Sequence, residues 1–221
     1  MSRRNNVLKY LGLFGLLFGF PLTFILIFSR MNHRFDTLPF FGDSVAVVQA
    51  DGSSDTLRYQ VPPFSLVNQK GEKFGSEDLK DKVYLATFFS TNSPFLAKIS
   101  KRLLSVNFRY RDEPDIAIVC FTLDPHYDQP AVLDKYANEL RVNPDKFIML
   151  TTADSTDMID LARTSFLIDD PLNSSVFWLV DTEQRLRGKY DGNKEEEMQR
   201  AVEDIALLKK EMDLQKAETS K

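Results

Sequence analysis

The turn that follows residues 83–90 is where this sequence would place a reactive group. Residues 83–90 form a dense apolar run that predicts a buried strand, and residues 95–110 carry apolar side chains at helical spacing. Backbone N–H groups at the start of a helix stabilise anions, including thiolates, so a redox or copper protein would carry its cysteines there. Ser93 and Ala97 occupy the two positions concerned. The sequence therefore predicts the scaffold of a reactive turn without its thiol chemistry.

Cysteine and histidine are too scarce elsewhere to replace a thiol pair. The single cysteine, Cys120, lies inside an apolar run, which predicts a buried and unreactive thiol. The only histidines are His33 and His126, so a metal site in the folded domain would have at most one imidazole and one thiolate. His126 is either an ordinary loop residue or a ligand of a replacement metal site formed with side chains at neighbouring strand ends. Those side chains are Ser93, Thr151 and Met149.

The charge distribution separates a basic N-terminal segment from an acidic remainder. Residues 1–35 hold five of the 28 Lys and Arg residues and none of the 32 Asp and Glu residues, so the rest of the chain carries a net charge of −9. No basic stripe with interleaved aromatic residues is present in the sequence. A nucleic-acid partner is therefore not expected.

Residues 10–28 predict a membrane anchor, because they form a run of 19 residues without a charge. As a helix this run would measure roughly 28 Å, close to the thickness of the hydrocarbon layer of a bilayer. A cleavable signal peptide has a shorter apolar region and a small-residue cleavage site, which residues 28–31 lack. We therefore expect an uncleaved signal-anchor, a single transmembrane helix, with a signal peptide as the alternative. Basic residues lie on both sides of the run, so charge alone leaves its orientation open.

The order of the predicted elements indicates the fold class. A β-hairpin over residues 64–74 precedes three strand–helix units, and a second hairpin and a last helix follow them. This order predicts an α/β domain with a thioredoxin-like mixed sheet flanked by helices on both faces. Asp128 is expected to cap the second of the helices. The central strands are predicted at 83–90, 115–123 and 147–150.

The chain divides into five parts on these grounds. Weak strand character at residues 44–49 and 56–59 falls within a polar connector, and the C-terminal tail is charged and expected to be frayed. The predicted parts are a cytoplasmic N-terminus at 1–9, a transmembrane anchor at 10–28, the connector at 29–60, the folded domain at 61–212 and the charged tail at 213–221.

Four segments of the domain, at 64–71, 88–94, 121–128 and 176–181, carry a consistent set of motifs. The most specific is the pattern Thr-x-Asp-Pro-x-x-Asp within 121–128. Together the segments resemble the Sco/SenC family of copper-handling, thioredoxin-like proteins that assemble cytochrome c oxidase. The resemblance covers about residues 61–210. It implies a single-pass protein of the inner (plasma) membrane with its domain on the extracytoplasmic side.

The resemblance also implies where the copper ligands of the family would lie. The family carries a Cys-Pro-x-x-Cys-Pro motif and a distant histidine, and the three ligands align with Ser93, Ala97 and Asn173. Copper favours soft thiolates together with imidazole, whereas a serine hydroxyl is a poor ligand and alanine offers no donor. The three positions are therefore predicted to be vestiges of a copper site, with no metal and no cofactor bound.

These expectations lead to a non-catalytic function. The chain is predicted to be a membrane-anchored binding or assembly factor linked to respiratory oxidase biogenesis, with oxidase assembly components or an intact Sco paralogue as partners. A copper metallochaperone that uses non-standard or partner-supplied ligands is the alternative. A thiol–disulfide or peroxidase enzyme is disfavoured by the missing cysteines.

The surface around the former copper site is the candidate docking cleft. Phe95 and Leu96 follow Pro94 at the start of the predicted helix, and large apolar side chains exposed beside a cleft are candidate anchors for a partner. Asp124 and His126 belong to the same predicted surface. The alternative is that Phe95 and Leu96 pack into the core.

Overall fold

The computed structural model describes residues 37–48 and 54–219, and the predicted N-terminus at 1–9 and anchor at 10–28 lie outside these residues. Within the described residues, no helix is both long enough and apolar enough to cross a membrane. The strands are β1 (Ser44–Val48), β2 (Ser54–Arg58), β3 (Ser65–Asn68), β4 (Lys73–Gly75), β5 (Val83–Phe89), β6 (Ile116–Thr122), β7 (Phe147–Thr151), β8 (Val176–Val180) and β9 (Leu186–Asp191). The helices are α1 (Leu96–Arg109), α2 (Pro130–Leu140), α3 (Ser155–Asp160) and α4 (Glu195–Thr219), with 3₁₀ turns at Ser76–Leu79 and Pro171–Asn173 and a π turn at Leu161–Ser165.

A seven-stranded mixed sheet, in the order β4-β3-β7-β6-β5-β8-β9, forms the centre of the domain. β5, β6 and β7 run parallel, with Leu85 opposite Ile118 and Ile118 opposite Phe147. β3 and β8 pair antiparallel with the outer two strands of this group, and β4 and β9 complete the two hairpins. The structure therefore confirms the predicted α/β mixed sheet and its three parallel central strands.

The residues of β5 alternate between two apolar layers, because successive side chains of a strand point to opposite faces of the sheet. All seven residues of β5 and all seven of β6 are buried, which explains why their sequences are continuous apolar runs. One layer, which also contains residues of α1, α2 and α4, includes Val83, Leu85 and Phe89 of β5. The other layer, which contains residues of α3, includes Tyr84, Ala86 and Phe88.

The described part of the predicted connector contains regular structure. β1 and β2 form an antiparallel hairpin, a separate two-stranded sheet in which Val45 lies opposite Leu57. This hairpin confirms the strand character expected at 44–49 and 56–59.

Residues ahead of the hairpin also pack onto the domain. Leu38 is buried in the layer of α1 and α4, and its carbonyl oxygen accepts a hydrogen bond from Arg187 Nη2 (3.0 Å). Phe40 lies beneath the Arg187 guanidinium, 4.2 Å from the carbon atom Cζ to the ring centroid. The compact unit begins at Leu38, earlier than the expected boundary at residue 61.

The last helix extends into the charged tail expected at 213–221, of which residues 220–221 lie outside the described part of the chain. α4 continues through Asp213 to Thr219. Met212 is buried in the core, and Lys209 forms an ion pair with Asp213 across one helical turn (3.6 Å). The apolar face of α4 is thus packed up to Met212, and the frayed tail beyond it stays a prediction.

Candidate functional site

The turn between β5 and α1 is closed by its own hydrogen bonds. The Ser93 N–H donates to the Ser90 carbonyl oxygen (3.1 Å), and the Leu96 N–H donates to the Ser93 carbonyl oxygen (3.0 Å). The Ser93 hydroxyl oxygen accepts a hydrogen bond from the backbone N–H of Phe95 (3.2 Å). Ser93 therefore helps to form the turn, as serine side chains commonly do.

Three loops meet beside this turn and enclose a cleft with a volume of about 570 Å³. β8 runs antiparallel to β5, so the loop before β8 lies at the same edge of the sheet as the loops after β5 and β6. A volume of several hundred Å³ is typical of ligand-binding pockets. The loop after β5 contributes Ser90, Asn92, Ser93 and Phe95, the loop after β6 contributes Leu123 and Asp124, and the loop before β8 contributes residues 171–175.

The cleft brings together two of the three positions at which the resemblance places copper ligands. Ser93 and Asn173, which are far apart in the sequence, both line it. Asn173 is exposed, and its Nδ2 donates to the Asp170 carboxylate (2.9 Å). Ala97 lies in the first turn of α1, where it is exposed, and does not line the cleft.

The predicted docking residues divide between cleft and surroundings. Phe95 and Asp124 line the cleft, whereas Pro94, Leu96 and His126 do not. Phe95 is 65% exposed, so the alternative that it packs into the core is wrong. Leu96 is half-buried and packs against the core, as that alternative expected.

Leu172 is a second exposed apolar side chain at the cleft, and it was not among the predicted residues. It is 63% exposed and lies in the 3₁₀ turn at Pro171–Asn173. The sequence signal that could have revealed it is an apolar residue inside a turn-forming Asp-Pro-Leu-Asn segment, directly before Asn173. Two separate loops thus each present one exposed apolar side chain to the cleft.

The polar lining of the cleft consists mainly of hydroxyl and carboxamide groups. Among the described residues that line it, Lys98 and Asp124 are the only ones with a formal charge, and their signs are opposite. Lys98 Nζ donates to the Asn193 Oδ1 atom (3.3 Å). The cleft as a whole therefore carries no net formal charge.

A buried carboxylate ties the loop after β5 to the loop after β6. Asp128 is 0% exposed and accepts a hydrogen bond from the Thr91 N–H (3.1 Å). It also accepts hydrogen bonds from the hydroxyl groups of Thr91 and Thr122. The Thr122 hydroxyl oxygen in turn accepts from the Asp124 N–H (3.1 Å). We refer to Thr91, Thr122 and Asp128 as the Asp128 cluster.

The Asp128 cluster replaces the helix cap that the sequence suggested. The residue that precedes α2 is Gln129, which has an extended backbone and forms no side-chain cap. Asp128 points instead to donors on another loop, because a buried carboxylate is stable only when it is hydrogen-bonded. The local Asp-x-Pro pattern does not reveal Thr91, which lies 37 residues earlier.

The side chains considered for a replacement metal site do not share the cleft with Ser93. Met149 and Thr151 are buried in β7, and His126 is exposed in the loop after β6. Across residues 37–48 and 54–219, no group of three His, Cys, Asp or Glu side chains is placed to hold a metal ion.

Cys120 is a core residue, as predicted. It is 1% exposed within β6, and its neighbours on the adjacent strands are Thr87 and Met149. Burial raises the pKa of the Cys120 thiol far above its ordinary value. Because the thiolate is the reactive form, both the burial and the raised pKa disfavour reaction of this thiol in the folded chain.

These features define a class of protein. A central sheet with three parallel strands and an antiparallel terminal hairpin, in which the first parallel strand leads through a turn into a helix, is a thioredoxin-like fold. Within that class, the model of the SCO1/SenC family matches residues 53–209. The chain therefore belongs to the SCO1/SenC family, which confirms the resemblance seen in the sequence.

Individual relatives match over most of their length. The SCO1 protein homolog of Bacillus subtilis (strain 168) is 29% identical over 154 residues, which cover 62% of this chain and 77% of that protein. The SCO2-like protein of Rickettsia felis is 29% identical over 203 residues, or 86% of this chain and 90% of that protein. The solved structure of BsSco matches with a TM-score of 0.61 and 26% identity over 68% of this chain and 93% of that one. BsSco is described as a member of the Sco family of cytochrome c oxidase assembly proteins in which a disulfide switch was identified.

Proposed function

We propose that this chain is a membrane-anchored, non-catalytic SCO1/SenC protein that serves the assembly of cytochrome c oxidase by docking, without copper or thiol chemistry of its own. The observation that carries the proposal is the composition of the cleft. Ser93 and Asn173 line it at two of the positions where the family resemblance places ligands, and Ala97 stands at the third.

The donor groups at these positions do not fit copper as a cargo. Cu(I) selects soft thiolate ligands, and copper in general is bound well by imidazole. The cleft offers the neutral hydroxyl of Ser93 and the carboxamide of Asn173 instead, and Ala97 has no donor atom. Mutation of residues that only hydrogen-bond to the metal ligands already lowers metal affinity about 10–100-fold, so replacement of the ligands themselves should lower it further. Cys120 cannot substitute, because its thiol is buried in the centre of the sheet.

The membrane location in this proposal rests on residues 10–28, which lie outside the described part of the chain. Their 19 uncharged residues match the thickness of a bilayer as a single helix of roughly 28 Å. We place the folded unit that begins at Leu38 on the extracytoplasmic side of the inner membrane, where it would meet oxidase assembly components or an intact Sco paralogue.

Equilibrium competition for Cu(I) tests the proposal. The full-length chain is dialysed against a Cu(I) chelator of moderate affinity, and the copper that remains on the protein is measured. We expect the wild-type chain to retain none. The matched control is the triple variant Ser93→Cys, Ala97→Cys and Asn173→His, which should retain about one copper ion per chain if the three positions form the former site.

Two results would contradict the reasoning. Stoichiometric retention of copper by the wild-type chain would refute the proposed function and favour a metallochaperone with non-standard ligands. Failure of the triple variant to retain copper, with its fold intact, would show that the three positions are not the former ligand positions.

A further inference from the structure

We infer that the cleft binds an extended, uncharged segment of a partner polypeptide that carries one large apolar side chain. The inference rests on the proposed function and specifies the chemistry of the partner. It follows from the exposed apolar side chains of the cleft, from its unused hydrogen-bonding atoms and from its charge.

The apolar anchor follows from Phe95 and Leu172. Their side chains are 65% and 63% exposed and belong to different loops of the same cleft. Phe89 and Ile99, which are buried, also line the cleft. An apolar side chain that enters the cleft would remove apolar surface of Phe95 and Leu172 from water, and such burial is the main favourable contribution to association.

The peptide character of the partner follows from polar atoms that the domain leaves unused. Within the part of the chain that the structure describes, the Asn92 carboxamide makes no hydrogen bond. Asn173 uses its Nδ2 atom on Asp170, and its side-chain oxygen has no donor among those residues. The Ser93 hydroxyl accepts a hydrogen bond from Phe95 but donates none to a described residue. The cleft thus offers both donors and acceptors, and an extended backbone supplies the complementary C=O and N–H groups at every residue.

The absence of charge on the partner follows from the electrostatics of the lining. Lys98 and Asp124 oppose each other in sign, and Lys98 is already hydrogen-bonded to Asn193. A charged side chain that entered the cleft would lose hydration without meeting a net opposite charge, so it would be rejected relative to a neutral apolar one. A helical partner is disfavoured for a different reason, because its backbone groups are already hydrogen-bonded within the helix.

Blocked tripeptides test the inference directly. Acetyl-Gly-Phe-Gly-amide, acetyl-Gly-Glu-Gly-amide and acetyl-Gly-Lys-Gly-amide are titrated against the full-length chain in nanodiscs, with empty nanodiscs as the reference, and binding is followed by saturation-transfer NMR of the peptides. We expect the phenylalanine peptide to bind about tenfold more tightly than either charged peptide.

Three variants assign the binding to the cleft. Phe95→Ser and Leu172→Ser should each weaken binding of the phenylalanine peptide about fivefold or more. Phe108→Ser is the matched control, because Phe108 is 70% exposed on α1 and does not line the cleft. This control should bind like the wild-type chain.

Each contrary result would overturn the inference. Equal affinity for the three peptides would show that the cleft does not select against charge. Undiminished binding by Phe95→Ser and Leu172→Ser would show that these side chains are not the anchor site, and lack of binding of the phenylalanine peptide would show that the partner is not a peptide of this kind. The copper competition contains no peptide, so the two proposals fail separately. If the chain retains copper and also binds the phenylalanine peptide, only the proposed function without copper is refuted. If the chain retains no copper and does not bind the peptide, only this inference is refuted.

Discussion

Replacement of Asp128 by alanine should destabilise the domain by about 3 kcal/mol. The carboxylate accepts hydrogen bonds from the Thr91 N–H and from the hydroxyl groups of Thr91 and Thr122. Hydrogen bonds to charged groups contribute about 1.5–3 kcal/mol each, which would give a loss of about 4.5–9 kcal/mol for three independent bonds. Two effects lower this figure. The variant no longer has to bury a charge, and the half-buried Thr91 can regain water.

Urea unfolding followed by tryptophan fluorescence measures this loss. Trp178 is the only tryptophan of the chain and is buried in β8, so its emission reports on the fold. The control is Asp124→Ala, since Asp124 lies in the same loop but its carboxylate accepts, from residues 37–48 and 54–219, only one weak hydrogen bond, which comes from the Tyr127 N–H (3.4 Å). We expect this control to lower the free energy of unfolding by less than about 1 kcal/mol.

A double-mutant cycle with Thr122→Val separates the Asp128–Thr122 interaction from the other effects of each change. The two substitutions should be coupled by at least about 1 kcal/mol, because each removes the same hydrogen bond. Additive effects, or a loss below about 1 kcal/mol for Asp128→Ala alone, would refute the view that the Asp128 cluster holds the two loops together.

Phe95→Ala should lower the free energy of unfolding by less than about 1 kcal/mol because the side chain is 65% exposed, whereas the buried Phe121→Ala should cost about 3–5 kcal/mol in the same urea titration. Equal losses of unfolding free energy in the two variants would show that Phe95 is packed in the core. Cys120 should resist alkylation at pH 8 in the native chain and react fully in urea, since burial raises the pKa of its thiol and blocks access; rapid native labelling in a mass spectrum would contradict its placement. The full-length chain should sediment with membranes, and protease added to intact spheroplasts should digest its domain, whereas protection until lysis would reverse the orientation expected for residues 10–28.

The central strands could be predicted from the sequence because burial on both faces leaves no charged residue in them. β5 and β6 are buried along their whole length and therefore appear as short apolar runs. The order of strands and helices then restricts the topology, because parallel neighbours need a helical crossover between them. The same order placed Ser93 in the turn between a strand and a helix and Cys120 within a strand, and the structure agrees on both.

The parts that sequence reasoning missed depend on partners distant in the chain. Asp128 has the local pattern of a helix cap, but its buried carboxylate accepts hydrogen bonds from Thr91, which lies 37 residues earlier in the chain. Leu172 appears as one apolar residue in a polar turn, and its exposure at the cleft depends on how the loop before β8 packs beside the loop after β5. Local propensity describes neither contact, because both arise from tertiary packing.

The side chains at the three positions where the resemblance places copper ligands take no part in the apolar core, so a cleft could persist if its copper chemistry has been lost, as we propose. Ser93 is half-buried, and Ala97 and Asn173 are exposed, so none of them belongs to the two apolar layers that stabilise the sheet. The Asp128 cluster joins two of the loops through side chains other than these three. On the proposed function, thiolate and imidazole groups at these positions were replaced without disturbing the apolar layers behind the cleft. For the same reason, we expect the triple variant of the copper experiment to change the chemistry at these three positions and to leave the scaffold intact.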